Sequence, residues 1–186
     1  MGSYLWDTSD DYPESCIGQY DKEKSPDRFE LRQGKRLADD FGPVIFRFRQ
    51  PARELQGWDC LENNALVPLI GPRAFEALSK IADTDVQALT TRVHTSDGEL
   101  DGYRAINIVR VIQCADLERS RFKKIVGSDR IMKFTSLRHR PNCLGDHHIA
   151  REFEYLSHII VSDVIREIFS RAHITGVRFI KSDEVR

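Results

Sequence analysis

The densest grouping of reactive side chains is the run His139-Arg140-Pro141-Asn142-Cys143-Leu144-Gly145-Asp146-His147-His148. Neutral imidazole and thiolate are zinc ligands, and Cys143 with His147 or His148 is, on paper, a nucleophile with its base. A closed zinc site needs about four ligands in tetrahedral geometry. Pro141 and Gly145 break any helix that would align His139, Cys143 and His147. No neighbouring feature activates the thiol. The run therefore reads as a polar loop, with no metal and no cofactor expected. A glycine-rich phosphate loop, a Gly-x-Ser-x-Gly elbow and a His-Glu-x-x-His motif are all absent from the sequence. No catalytic residue is assigned, and the chain reads as a binding protein rather than an enzyme.

Charge is the second source of chemistry. Lys and Arg number 28 and Asp and Glu 29, for a net charge of −1, so the chain as a whole is no polyanion binder. The first thirty residues hold Asp7, Asp10, Asp11, Glu14, Asp21, Glu23, Asp27 and Glu30 against Lys22, Lys24 and Arg28. This acidic arm is a candidate surface for a basic partner. From Arg119 to Arg140 the balance reverses, with Arg121, Lys123, Lys124, Arg130, Lys133 and Arg138 against Asp129. Only Phe122 and Phe134 interrupt that run, whereas a platform for single-stranded nucleic acid interleaves its cations with aromatics. A solvated loop and strand face is the better reading, and nucleic acid is the less favoured partner.

The four cysteines, Cys16, Cys60, Cys114 and Cys143, have no short paired spacing and read as reduced thiols of a cytoplasmic protein. The longest apolar runs are a few residues, too short to span a membrane. The first residues lack the basic and apolar regions of a signal peptide.

The elements that would position these groups show a doubled pattern. Leu69-Ile70-Gly71-Pro72-Arg73-Ala74-Phe75 and Ile160-Val161-Ser162-Asp163-Val164-Ile165-Arg166 each read as strand, helix start and amphipathic helix. They align without a gap, Gly71 on Ser162, Leu78 on Phe169 and Val86 on Val177. Ser162 is suited to cap its helix and Asp163 to the positive end of the dipole; Pro72 suits a first helical position. Ala74, Phe75, Leu78, Ile81 and Ala82 form one apolar face, and Val164, Ile165, Ile168, Phe169 and Ala172 the other. Thr175-Gly176 turns the chain into a strand through Val177, Phe179 and Val185. Further strands are expected at Tyr4–Trp6, Val44–Phe48, Tyr103–Cys114, Ile131–Phe134 and Glu152–Leu156, with a turn at Ser96-Asp97-Gly98. The strand from Tyr103 is apolar on both faces and belongs inside a sheet or between layers. The expected fold is α+β, a mixed or antiparallel sheet with a few amphipathic helices. It forms one domain over residues 1–186, built of two weakly related strand-helix-strand halves, approximately 1–95 and 96–186.

Tyr103-Arg104-Ala105-Ile106-Asn107-Ile108-Val109, followed by Ala115-Asp116-Leu117-Glu118-Arg119-Ser120, resembles the core of one group of bacterial immunity proteins. These belong to polymorphic toxin systems, and the group is named after a myxobacterial member. Ile159 to Ile165 and Ile174-Thr175-Gly176-Val177-Arg178-Phe179 are similar to its Ser-started helix and closing Thr-Gly strand. Asn64 to Arg73, Tyr4 to Asp7 and Asp11-Tyr12-Pro13 extend the resemblance over nearly the whole chain. Gly71 departs from the commoner serine, and the His139–His148 loop is longer and more polar than usual. Tyr103, Asn107, Asp116, Ser120, Ser162, Thr175 and Gly176 carry over as structural motif residues, with Asp116 and Ser120 holding a turn after the central strand.

The resemblance implies a cytoplasmic immunity protein that binds and neutralises a cognate secreted antibacterial toxin. Toxins beside such genes are often nucleases, whose phosphate-gripping surfaces are basic. Asp7, Asp10, Asp11 and Glu14 are then candidate toxin contacts, and so are His147 and His148 on the variable loop. A nucleic-acid-binding regulator using Arg119 to Arg140 is the alternative, and a metal-dependent enzyme centred on His139, Cys143 and His147 a more distant one.

Overall fold

A computed structural model describes residues 2–184. Val185, which was expected to extend the last strand, lies outside the described residues. The chain opens with β1 (Ser3–Thr8), β2 (Gln19–Tyr20), β3 (Val44–Arg47) and a short α1 (Ala52–Leu55). Then come β4 (Cys60–Leu61), β5 (Leu69–Ile70), α2 (Pro72–Ala82), β6 (Val86–Leu89), β7 (Thr91–Thr95) and β8 (Gly98–Glu99). The remainder is β9 (Arg104–Ile108), β10 (Val111–Ile112), β11 (Arg121–Lys124), β12 (Ile131–Ser136), β13 (Ile149–Glu152), β14 (Tyr155–Ser162), α3 (Asp163–Arg171) and β15 (Val177–Lys181). The result is α+β and mostly β.

Three sheets and a hairpin hold these strands: β10-β13-β14-β1-β15, β4-β5-β9-β6, β2-β3-β7-β8, and β11-β12. Among the named strands of the described residues, β3–β7 and β10–β13 pair in parallel and the other pairs are antiparallel, so the sheets are mixed. The two predicted helices are crossovers of one kind. β5 and β6 both pair antiparallel with β9, so α2 connects two parallel strands that flank a third. β14 and β15 both pair antiparallel with β1, and α3 does the same there. The flanked strands are exchanged along the sequence: β1, from the chain's beginning, serves α3, and β9, from beyond residue 95, serves α2. A line drawn at 95/96 therefore cuts through both sheets.

Gly71 and Ser162 both stand at the N-cap, with nearly equal backbone angles (φ −77°, ψ 176° and φ −79°, ψ 166°). Ser162 does not cap, contrary to expectation. Its hydroxyl is fully buried and bonds His148 Nδ1 at 3.0 Å instead. The helices share one core in which Ala74, Leu78, Ile165 and Phe169 meet Ile70, Ile106, Ile108 and Val161.

The strand expected from Tyr103 to Cys114 is broken at Val109-Arg110 and serves two sheets, β9 in one and β10 in the other. Its faces go to different cores, Ala105 to one and Ile106 and Ile108 to the next. The strand expected at Glu152–Leu156 is a hairpin, with Phe153-Glu154 as the turn between β13 and β14. Local alternation continues through such a turn and conceals it.

The reading of four reduced thiols is corrected too. Cys114 and Cys143 form a disulfide, while Cys16 and Cys60 are buried and free. The pair stands 29 positions apart in sequence. The Ala115–His139 bridge and the intervening β11–β12 hairpin bring their Cα atoms to 4.9 Å.

Candidate functional site

A cleft of about 270 Å³ opens where the end of β1 meets the 61–69 loop and the start of β14. Trp6, Asp7 and Thr8 form one wall, Leu61 to Leu69 the second, and Tyr155, Ser157, His158 and Ile159 the third. Asn63 shapes the loop: its amide donates to Val67 O at 2.8 Å and its carbonyl accepts from Ala65 N at 3.1 Å. Leu66 is thereby held at φ 55° and left exposed on the rim.

The Thr175-Gly176 motif closes the cleft from below. Thr175 Oγ1 accepts from Asp59 N (2.9 Å), Thr175 N donates to Asp59 Oδ2 (3.0 Å), and Cys60 N donates to Thr175 O (3.0 Å). Gly176 has φ +82°, and a Cβ there would overlap the Cys60 carbonyl oxygen. Only glycine fits.

Thr8 donates its hydroxyl to Glu62 Oε2 on the cleft wall. Burial pushes the Glu62 carboxyl above the usual carboxylate range, with the Asp7 charge adding to it against the Thr8 and Asn63 hydrogen bonds. His158, also on the wall, is driven down to about 4 by burial, and its buried Nδ1 has no partner among the described residues. Sequence reasoning missed Glu62. It stands alone between apolar Leu61 and the Asn63-Asn64 turn, so only the pairing of the turn with β1 would have marked it.

Of the predicted acidic contacts, Asp7 and Asp10 share Arg178. The guanidinium donates to Asp7 Oδ2 at 3.0 and 2.7 Å and to Asp10 Oδ1. These two are ion-paired, and Asp7 also lines the cleft. Asp11 and Glu14 are exposed and make no ion pair among the described residues. The acidic set thus gathers at one end of β1.

His147 and His148 lie elsewhere. His148 is tied to Ser162, which pairs with Ser3 at the other end of β1, about 13 Å of strand from Asp7. His147 Nδ1 lies 2.7 Å from Asp85 Oδ1, and His148 N donates to Asp85 Oδ2 at 2.9 Å. Burial opposes ionisation of Asp85, but these contacts and Arg110 hold its carboxyl below the usual range. Both histidines anchor their loop to the body.

The other motif residues hold structure in the same way. Tyr103 donates its hydroxyl to Trp58 O at 2.6 Å, and burial raises its pKa to about 12. Asn107 donates to Lys35 O at 2.9 Å. Asp116 accepts from Ser120 N through its backbone (2.9 Å), and Ser120 Oγ accepts from Arg138 N (2.9 Å).

The metal and nucleic-acid alternatives meet specific geometry. Cys143 is in the disulfide, His147 is on Asp85, and His139 Nδ1 is 2.8 Å from Ser3 Oγ. Among the described residues no group of three or more His, Cys, Asp or Glu is arranged to hold a metal. The basic run forms the β11–β12 hairpin, where Phe122 and Phe134 pack against each other (6.0 Å between centroids). Phe134 is buried, so the pair offers no face for stacking bases. No helix among the described residues is long and apolar enough to cross a membrane.

The described residues thus define an α+β protein with a small cleft lined in part by Asp7 and Glu62. The sequence matches the model of the Immunity protein family (Imm11) over residues 10–184, nearly its whole length, and the chain belongs to that family. No curated protein matches it.

Proposed function

We propose that this protein neutralises one cognate antibacterial toxin by binding it directly. Family membership over residues 10–184 carries the reading, and the acid-bearing end of β1 supports it. A toxin that grips phosphates, such as a nuclease, is basic where it grips. An acidic complement steers its capture and speeds association. Asp11 and Glu14 are the carboxylates best placed to steer, because Arg178 already compensates Asp7 and Asp10.

The encounter is placed in the cytoplasm, where the incoming toxin meets its target. Thiols there are mostly kept reduced, so the fold must also tolerate an opened Cys114–Cys143 bond.

The test is tagged capture from the native host, followed by assay of the purified pair. Stoichiometric recovery of the C-terminal domain of a large secreted protein, with loss of its toxic activity in the complex, is the expected result. D11K/E14K is then expected to slow association about tenfold at low salt and flatten its salt dependence. Recovery of nucleic acid alone would move the reading to a nucleic-acid-binding regulator.

A further inference from the structure

Glu62 is the one acid of the cleft wall that the fold leaves without a counter-ion. Asp7, across from it, is paired with Arg178; Glu62 makes no ion pair among the described residues. A half-buried carboxyl held, among the described residues, only by the Thr8 hydroxyl and the Asn63 backbone N–H gains from an added cation, because removing a charge from water is costly until it is paired.

The surroundings point to the kind of cation. The cleft, at 270 Å³, falls below the range of about 300–1,000 Å³ usual for small-molecule sites. Its walls alternate apolar surface (Leu66, Val67, Leu69, Ile159) with the rings of Trp6 and Tyr155. Such walls suit the aliphatic stem and planar or ammonium head of one long basic side chain. His158, which faces the same space, is neutral near pH 7 and does not compete as a cation.

We propose that this cleft receives an arginine or lysine side chain of the bound toxin, with Glu62 as its counter-ion. The identity of the partner rests on the immunity reading; the ligand chemistry does not.

The probe is Nα-acetyl-arginine methylamide, titrated into the intact protein while methyl NMR signals of Leu66, Leu69 and Ile159 are followed. Nα-acetyl-citrulline methylamide, of the same shape without the charge, is the control. Saturable shifts at these methyls, on the order of millimolar affinity, are expected for the arginine compound. Binding is expected to be at least about tenfold weaker for citrulline and for Glu62→Gln. Equal responses to the two compounds, shifts confined to other regions, or no shift would overturn the proposal. If Glu62→Gln does not fold, the two compounds on the wild-type protein decide the matter alone.

With a captured toxin in hand, unchanged affinity of a folded E62Q would refute the cleft while leaving toxin binding intact. Arginine binding without any captured toxin would support the cleft and refute the partner.

Discussion

The two helix-crossover units use opposite chemistry at matched positions. Thr84-Asp85-Val86 leads from α2 into β6, and Thr175-Gly176-Val177 leads from α3 into β15. In the first unit the turn grips with charge: buried Asp85 takes the His148 N–H, the His147 ring and Arg110 Nε (3.2 Å). In the second it grips chiefly by shape: Cys60 N donates to Thr175 O, Thr175 N donates to Asp59 Oδ2, and Gly176 leaves the space that the Cys60 carbonyl occupies. Each turn holds the segment that enters the other unit, 147–148 before β13 and 57–60 at the start of β4. A charged clasp tolerates changes of shape but is sensitive to pH. A clasp set by close approach tolerates no added atom.

The largest effect is expected where shape has no slack. Gly176→Ala puts a Cβ on a carbonyl oxygen at a left-handed backbone position, and should cost roughly 4 kcal/mol or more. Gly71→Ala, at φ −77° and in a tight contact that the Tyr103 ring must yield slightly to admit, should cost about 1 kcal/mol. Urea midpoints measure both. Similar midpoints for the two variants would remove the asymmetry between the units.

Reduction comes next. Opening Cys114–Cys143 releases a loop with 29-residue sequence separation, worth about 3–4 kcal/mol by chain entropy. Hydrogen exchange should quicken in the loop that carries His147 and His148, while the Thr175 clasp stays protected. Equal loosening of both would mean that the clasps are not independent.

The sequence was informative where one element carries the signal. α2 and α3, their shared N-cap position and β1 follow from spacing, capping chemistry and Pro72. What it hid depends on pairing at a distance. Ser162 is a good N-cap by composition, but its hydroxyl is claimed by His148 from the loop before β13. Arg151 and Glu152 look like the polar residues of an edge, yet both are fully buried; Glu152 accepts the N–H groups of Cys114 and Ala115. The acidic arm was legible as charge, but its compensation by Arg178 and the exposure of Glu62 to a cleft were not. Both arise only when β1 is laid between β14 and β15.

Acid should loosen the second unit first. Burial lowers His139 and His158 to about 4, so between pH 6.5 and 4 the unfolded chain binds their protons and the fold does not. Stability is therefore full above pH 6.5 and falls toward pH 4, by up to about 3 kcal/mol for each histidine. Glu62 and Glu152, whose carboxyls burial raises, act in the opposite sense and recover part of the loss. His158→Phe keeps the packing against Phe134 and Tyr155 and should remove about half of the histidine-linked slope. An unchanged slope in melts across this range would place the acid sensitivity elsewhere.

A change at Asp85 separates the clasps most directly. Asp85→Asn keeps an acceptor for His148 N–H but loses the charge that Arg110 and His147 face, at a cost of about 2 kcal/mol near pH 7. The Asp85 carboxyl is held below its usual value, so its contribution is complete above about pH 4 and disappears as pH falls through the folded-state pKa. The stability gap between wild type and D85N should therefore shrink toward zero in strong acid, where wild-type Asp85 is neutral as well. The gap for Gly176→Ala comes from overlap with the Cys60 carbonyl oxygen, which does not titrate, and should change far less over the same range. A D85N gap that persists in acid would make Asp85 a matter of shape after all, and the two turns would then hold their loops by the same means.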